Sequence, residues 1–293
     1  MFGLATLMVV FADFDTMDVD SMPFFPLFSA RVVSWIRRKT LFATWHEVTD
    51  LASWQAYIGR TKGVIAWAVE RLALHSADTI ISVSKHTTLR LRANGFKKRI
   101  VTVPLGVDLA NIYTINASAQ KSDVIFVGRL VAHKNVDLLI RAIAIAKLEN
   151  PRVIAKIIGN GPEKPALARL IKQLDLDENI SLIGTVEKDN DLYGLMKASK
   201  MFILPSIREG FSVVALEANA AGIPVITTNH PDNAARELVT NGVNGYIVDP
   251  SAEAIAEGIA TILENRKAMK PENDIKQYDW DAVAENIKKA LTA

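Results

Sequence analysis

The sequence predicts an α/β protein made of two parallel-sheet domains, the second doubly wound, and three observations carry that reading. Short apolar runs alternate with segments of helical spacing along nearly the whole chain, the pattern of repeated βα units. The 293 residues, 49% of them hydrophobic, are enough for two cores. Between the two series lies a polar, unpatterned stretch, 109–122 (LANIYTINASAQKS), which reads as an interdomain linker. The expected division is therefore a first domain over 1–118 and a second beginning at 119.

In the first part, residues 1–12 read as a helix and 15–21 as a strand ending in a turn. Pro23 and Pro26 break regular structure, and 27–38 resumes as a helix. Residues 41–45 (LFATW) form a short buried strand running into His46 and Glu47. Helical spacing returns over 61–76, with Ile65, Val69, Leu72 and Ala73 on one side. Residues 78–84 are a strand leading into a helix from Lys85, and 99–108 a strand closed by a turn at Pro104 and Gly106. The second part holds six strands alternating with helices within 123–250. The helix at 251–263 sets Ile255, Ile259 and Ile262 on one stripe, and a last helix over about 279–291 carries Trp280, Val283, Ile287 and Leu291 on one face.

Bulk properties narrow the function. The absence of cysteine removes disulfides and thiolate metal sites and fits a reducing interior. Five scattered His residues make a catalytic zinc site a poor reading. No apolar run approaches the ~18 residues that span a bilayer, and the apolar start has neither a basic region nor a cleavage site of a signal peptide. The net charge of +2 is uneven: residues 1–118 carry 13 Lys/Arg against 9 Asp/Glu, or +4, and the rest 21 against 23, or −2. Within 31–99 there are 13 basic and 4 acidic residues. Such an excess points to an anionic partner, a phosphate-bearing acceptor or a membrane surface, against the plain alternative of a solvated basic face. Nucleic acid is not expected, because the aromatic residues there are not arranged as a stacking platform.

The stretch that concentrates chemistry is 204–227, LPSIREGFSVVALEANAAGIPVIT. It reads as a strand end, a loop carrying Glu209, a helix capped by Ser212, and another buried strand. Glu217 follows Glu209 by eight residues, about two turns inside the helix. The helix start, at Phe211, Ser212 and Val213, points unpaired N–H groups at whatever lies above the strand ends, where open parallel sheets bind ligands. Two carboxylates so placed can grip hydroxyls at two ends of an elongated, anion-bearing ligand; the plainer reading leaves both solvated. Upstream, DVIFVGRLVAHKN gives a strand, a sharp turn at Gly128, and Arg129 and Lys134 in the connection, where two cations can converge on a diphosphate.

This set resembles the retaining glycosyltransferases of the GT-B type with a Glu-x7-Glu signature, the group 1 or family 4 transferases related to bacterial mannosyltransferases and glycogen synthases. The resemblance covers most of the chain and includes GRLVAHK, the GNGP turn, the TVEK loop, TWHEV, SVSKHTT and VPLGVD. It implies two Rossmann-like, doubly wound domains facing a cleft, the second over 119–275, with 276–293 crossing back onto the first. It further implies that Glu209 contacts the transferred sugar, Glu217 holds the nucleotide ribose, the backbone near Val186 meets the base, and His46 faces the donor sugar. The family opens with a glycine-rich turn and further strand-helix units before anything like DFDTMDV, so the N-terminal domain is expected to be incomplete here.

The implied partners are a UDP- or GDP-sugar and a glycan or lipid-linked acceptor, with no metal and no further cofactor. Cytoplasmic placement is implied, with peripheral contact at the inner face of the membrane. A non-catalytic sugar-nucleotide-binding protein or inactive partner subunit is the alternative from another class. A GT-B epimerase fits less well, because its carboxylate and His pattern differs from Glu-x7-Glu.

Overall fold

The computed structural model describes residues 6–292, and they fall into two compact units. One is the chain up to Leu105 together with the segment from Val283 onward; the other is Gly106–Ala282. The expected helix over 1–12 lies partly outside the described residues; residues 6–8 are helical and Val9–Phe11 form a 3-10 turn.

The first unit runs β1 (Thr16–Asp20), α1 (Phe25–Arg37), β2 (Thr40–Trp45), α2 (Leu51–Ile58), α3 (Arg60–Leu74), β3 (Thr79–Ser82), α4 (Lys85–Ala93) and β4 (Arg99–Thr102). Its strands are parallel in the order β1-β2-β3-β4. The four strands follow one another in chain order, with no reversal among them. Leu41, Ala43, Trp45 and Ile80 face one side, against Leu27 and Val33 of α1, Leu74 of α3 and Leu91 of α4. Phe42 and Ile81 alternate to the other side.

Three local expectations need correction. Pro26 sits in the first turn of α1 rather than breaking it, where its fixed φ suits the helix and its missing N–H costs nothing. α2 was not expected at all; Asp50 caps it, accepting from Ser53 N at 2.7 Å. Of the side of α3 expected to face inward, Val69 and Ala73 pack on the core but Ile65 and Leu72 do not. Those two are exposed, and Gly63, Glu70, Ala73 and Leu74 are buried. Glu70 can be inside because its carboxylate takes hydrogen bonds from Trp54 Nε1 at 2.6 Å and Thr49 N at 3.0 Å.

The second unit begins earlier than the composition suggests, because 109–122 is not a loose linker. It contains α5 (Leu109–Thr114), capped by Asp108, with Leu109 and Ile112 in the unit's core. There follow β5 (Ser122–Val127), α6 (Val136–Glu149), β6 (Ala155–Ile158), α7 (Lys164–Gln173), β7 (Ile180–Gly184), α8 (Asp189–Lys197), β8 (Ser199–Leu204), α9 (Val213–Ala220), β9 (Val225–Thr228), β10 (Gly245–Val248) and α10 (Ala252–Asn265). The six strands are parallel in the order β10-β9-β8-β5-β6-β7, which reverses between β5 and β8. Ile125, Phe126, Ile157, Phe202, Ile203, Val225 and Ile226 are fully buried, as central strands covered on both faces require. Ile255, Ile259 and Ile262 of α10 are buried as their spacing predicts.

α11 (Trp280–Thr292) closes the chain. Its Val283 and Ala290, with Ile287 and Leu291, pack on Phe42, Ile81 and Val103, the open face of the first unit's sheet. Where the chain enters and leaves the second unit the two crossings are paired: Val107 N donates to Tyr278 O at 2.9 Å and Trp280 N to Val107 O at 3.3 Å.

Candidate functional site

In a doubly wound sheet, the loops that leave the two strands at the reversal diverge and open a crevice. Here those loops follow β5 (128–135) and β8 (205–212). The first is held by backbone contacts to the turn after β6: Gly128 N donates to Ile158 O at 3.0 Å, and Leu130 N to Asn160 O at 2.9 Å. A Cβ on Gly159 would lie 1.9 Å from Gly128 O, and one on Gly161 2.3 Å from Leu130 O. The G-x-G of that turn therefore exists to let two stretches of backbone touch.

The second loop is fixed on both sides. Ile207 N donates to His133 O at 3.0 Å, tying it to the first loop. Glu209 N donates to Asp232 O at 3.0 Å and Ala234 N to Glu209 O at 2.9 Å. Fully buried Asn233 anchors that neighbouring turn through its amide to Thr227 Oγ1 (2.9 Å) and Thr228 O (3.0 Å). The Glu209 side chain, 9% exposed, then meets Lys134 Nζ at 2.5 Å. Two of the residues singled out in the sequence are thus in direct contact, in a place from which water is largely excluded.

The charge around this pair is positive. His133 is pushed down to about 4, first by burial and then by the charges of Arg208, Lys134 and Arg129. Neither His133 nor Arg208 was picked out in the sequence, though each is the immediate neighbour of a residue that was. The unfolded chain protonates His133 below about 6.5, and the folded chain only near 4. This group therefore takes stability away as pH falls from 6.5 toward 4, and its full contribution stands above 6.5. An anion among the three cations would cancel their effect. His133 is expected to titrate near 4 by NMR in the free protein and markedly higher with pyrophosphate or UDP bound. An unmoved titration at saturating nucleotide would put the phosphates elsewhere.

Ser212 caps α9, its hydroxyl accepting from Ala215 N at 3.3 Å. Glu217 lies in the second turn, half-buried, and accepts from Tyr193 Oη on α8 at 2.9 Å. Burial pushes the Glu217 carboxyl up, the Tyr193 bond draws it back, and Asp189 adds a smaller upward push. Tyr193, raised in turn by burial and by Glu217, stays a donor. Sequence periodicity had no way to flag it. Phe211 and Val213 flank the cap, half-buried against the core, Phe211 tilted on Tyr278 at 6.4 Å. Arg129 is exposed at the first loop.

Two predicted residues lie apart. Val186 lines a separate hollow of about 580 Å³ with Ile115, Asn116, Asn190 and Gly194. His46 belongs to the first unit, at the end of β2, with its Nε2 3.0 Å from Asp20 Oδ1. Among the described residues no group of three His, Asp or Glu side chains is placed to hold a metal ion.

The sequence pattern of the family described as Glycosyl transferases group 1 matches residues 114–279, more than half of the chain, and that of Glycosyltransferase Family 4 matches 13–111. The chain belongs to the group 1 glycosyl transferases. Among curated relatives, a Campylobacter jejuni enzyme named N-acetylgalactosamine-N,N'-diacetylbacillosaminyl-diphospho-undecaprenol 4-alpha-N-acetylgalactosaminyltransferase is 38% identical over 184 residues, 60% of this chain and 48% of its own. A putative colanic acid biosynthesis glycosyltransferase of Salmonella typhimurium, WcaL, is 29% identical over 193 residues, 62% of this chain and 47% of its own. The matched part thus spans about half the length of these relatives. Among solved structures, Anabaena HepE in complex with UDP superimposes with a TM-score of 0.80 at 21% identity, over 99% of this chain and 81% of that one. The pneumococcal O-GlcNAc transferase GtfA, in complex with UDP and GlcNAc, gives 0.77 at 19% identity, over 98% and 58%. At these identities the structural likeness establishes the fold, two parallel-sheet α/β domains of the GT-B kind.

Proposed function

We propose that the second unit binds a nucleoside-diphosphate sugar, UDP- or GDP-linked, and that the chain transfers the sugar to a glycan or lipid-linked acceptor with retention at the anomeric carbon. The observation that carries this is the buried Lys134–Glu209 contact at the strand-order reversal, with Arg129 and Arg208 beside it. Departure of a nucleoside diphosphate needs positive charge where negative charge develops. Lys134 and Arg129 supply it, the N–H groups at the start of α9, with Phe211, Ser212 and Val213 around its cap, add a partial charge, and Gly128 lets the backbone come close. Glu209, once Lys134 turns to the diphosphate, accepts from the sugar hydroxyls. Glu217, oriented by Tyr193, accepts from the ribose. Val186 is assigned to the base and His46 to the donor sugar on the resemblance of their segments. Nothing nominates a carboxylate under the anomeric carbon, which favours attack on the face the diphosphate leaves. The acceptor oxygen bonds to that carbon as the carbon–phosphate-oxygen bond breaks, and its proton passes to the departing phosphate.

Calorimetry with UDP, GDP and their sugars tests the assignment. Glu217→Ala is expected to weaken free nucleotide and nucleotide sugar alike, and Glu209→Ala to weaken only the nucleotide sugar. A hydrogen bond to a buried charge is worth ~1.5–3 kcal/mol, so each loss should be tenfold or more. EDTA should leave the wild-type affinity unchanged. Identical loss profiles in the two variants, or binding that vanishes with chelation, would overturn the reading.

A further inference from the structure

The second unit carries a groove that its own core leaves open. It lies between α6 and α10, about 300 Å³ in volume, with Val153, Ala256 and Ile259 buried at its floor. Every charged side chain lining it is a glutamate: Glu149, Glu253 and Glu257, all exposed. None of the three forms an ion pair among the described residues. Lys147 of α6 donates instead to Asp175 O at 2.6 Å, and residues 237–265 hold five acids and no Lys or Arg. An apolar floor beneath unpaired carboxylates suits a large apolar side chain with a cation beside it.

The same chain displays a surface of that kind. α1 sets Phe25, Val32, Trp35 and Ile36 on its outward side, Trp35 exposed by 69% and Ile36 by 64%. They form an apolar stripe at helical spacing. Residues 21–45 contain Arg31, Arg37, Arg38 and Lys39 and no Asp or Glu. Three of these cations are engaged: Arg31 with Asp78 at 2.7 Å, Lys39 with Asp15 at 3.3 Å, and Arg37 with Val10 O at 2.9 Å. Arg38, just past Trp35 and Ile36, is exposed and forms no ion pair among the described residues.

Like surfaces cannot meet. Groove against groove would oppose the glutamates, and α1 against α1 would oppose Arg38 to itself. A contact between copies therefore joins the α1 of one to the groove of the next, head to tail. We propose that a second copy of this chain seats its Trp35 and Ile36 in the α6–α10 groove, with its Arg38 meeting Glu253 and Glu257. Neither surface includes a residue of the candidate nucleotide site, and the test reads no transfer.

Sedimentation velocity of the full chain decides it. Species larger than the monomer are expected to grow with protein concentration and to shrink as salt is added. Trp35→Asp should weaken association about tenfold or more, and so should Glu253→Lys combined with Glu257→Lys. A mixture of the α1 variant and the groove variant gives the sharpest result. The first keeps an intact groove and the second an intact α1, so together they should form a one-to-one pair that grows no further. All three positions are exposed, and unchanged circular dichroism and UDP affinity confirm that the variants fold. A wild-type chain that stays monomeric, a dimer that survives the groove variant, or a mixture that stays apart would each overturn the proposal.

Discussion

Replacing Lys134 with methionine is expected to destabilise the second unit by about 3–5 kcal/mol, the range seen when one partner of a buried ion pair is removed. The cause is what stays behind. The Glu209 side chain is 9% exposed and its backbone is clamped to Asp232 and Ala234, so the carboxylate cannot swing into water. Glu209→Gln in the same background should restore much of the loss, because the amide removes the stranded charge. Urea unfolding of both single variants and the double variant measures this, and a double-variant loss equal to the sum would show that the two groups do not interact. Binding separates from stability in the same set. The double variant, even with its stability restored, should still bind UDP at least tenfold more weakly than wild type, since the cation proposed to meet the diphosphate is gone.

Gly159→Ala should have an effect of similar size by an unrelated route. Its φ of +140° disfavours any side chain, and the added methyl would sit 1.9 Å from Gly128 O. That oxygen is backbone and cannot rotate away, so the Gly128–Leu130 loop must shift and the Gly128 N to Ile158 O bond with it. Strained φ and overpacking together cost about 3 kcal/mol or more, and the displaced loop carries Arg129. Gly95→Ala is the control. Its φ of +89° is equally unfavourable, but nothing lies within 4 Å of the added carbon, so only ~1 kcal/mol of backbone strain is expected. Equal melting temperatures for the two variants would mean that the loop contact does not matter.

The second unit was legible because its strands are buried on both faces and appear as unbroken apolar runs, as in DVIFV and MFIL, with Ser212 and Gly128 punctuating them. The first was harder to read. α3 buries Glu70 beside Ala73 and Leu74 and exposes Ile65 and Leu72, so one charged residue faces its core and two large apolar ones face away. A periodicity argument assumes the opposite, and nothing local says that Trp54 and Thr49 wait to bond that carboxylate. α5 was hidden for a simpler reason: Leu109 and Ile112 alone face inward among polar neighbours. At the candidate site, spacing singled out Glu209, Glu217, Lys134 and Arg129. It could not supply Tyr193, Arg208 or Asn233, because their pairings join residues on different elements and depend on the order in which the strands lie.

The C-terminal helix brings in the order of synthesis. Phe42, Ile81 and Val103 are made well before Val283 and Ile287, which cover them. Between Thr102 and Trp280 lie 280 − 102 = 178 residue steps. At about 5–20 residues per second on the ribosome, roughly 10–40 s pass with that sheet face bare. The later-made unit, Gly106–Ala282, can close on itself within that time; the earlier one waits for α11. A nascent chain of this protein therefore emerges with an apolar sheet face open to chaperones, and of the two units the one begun earlier is completed later.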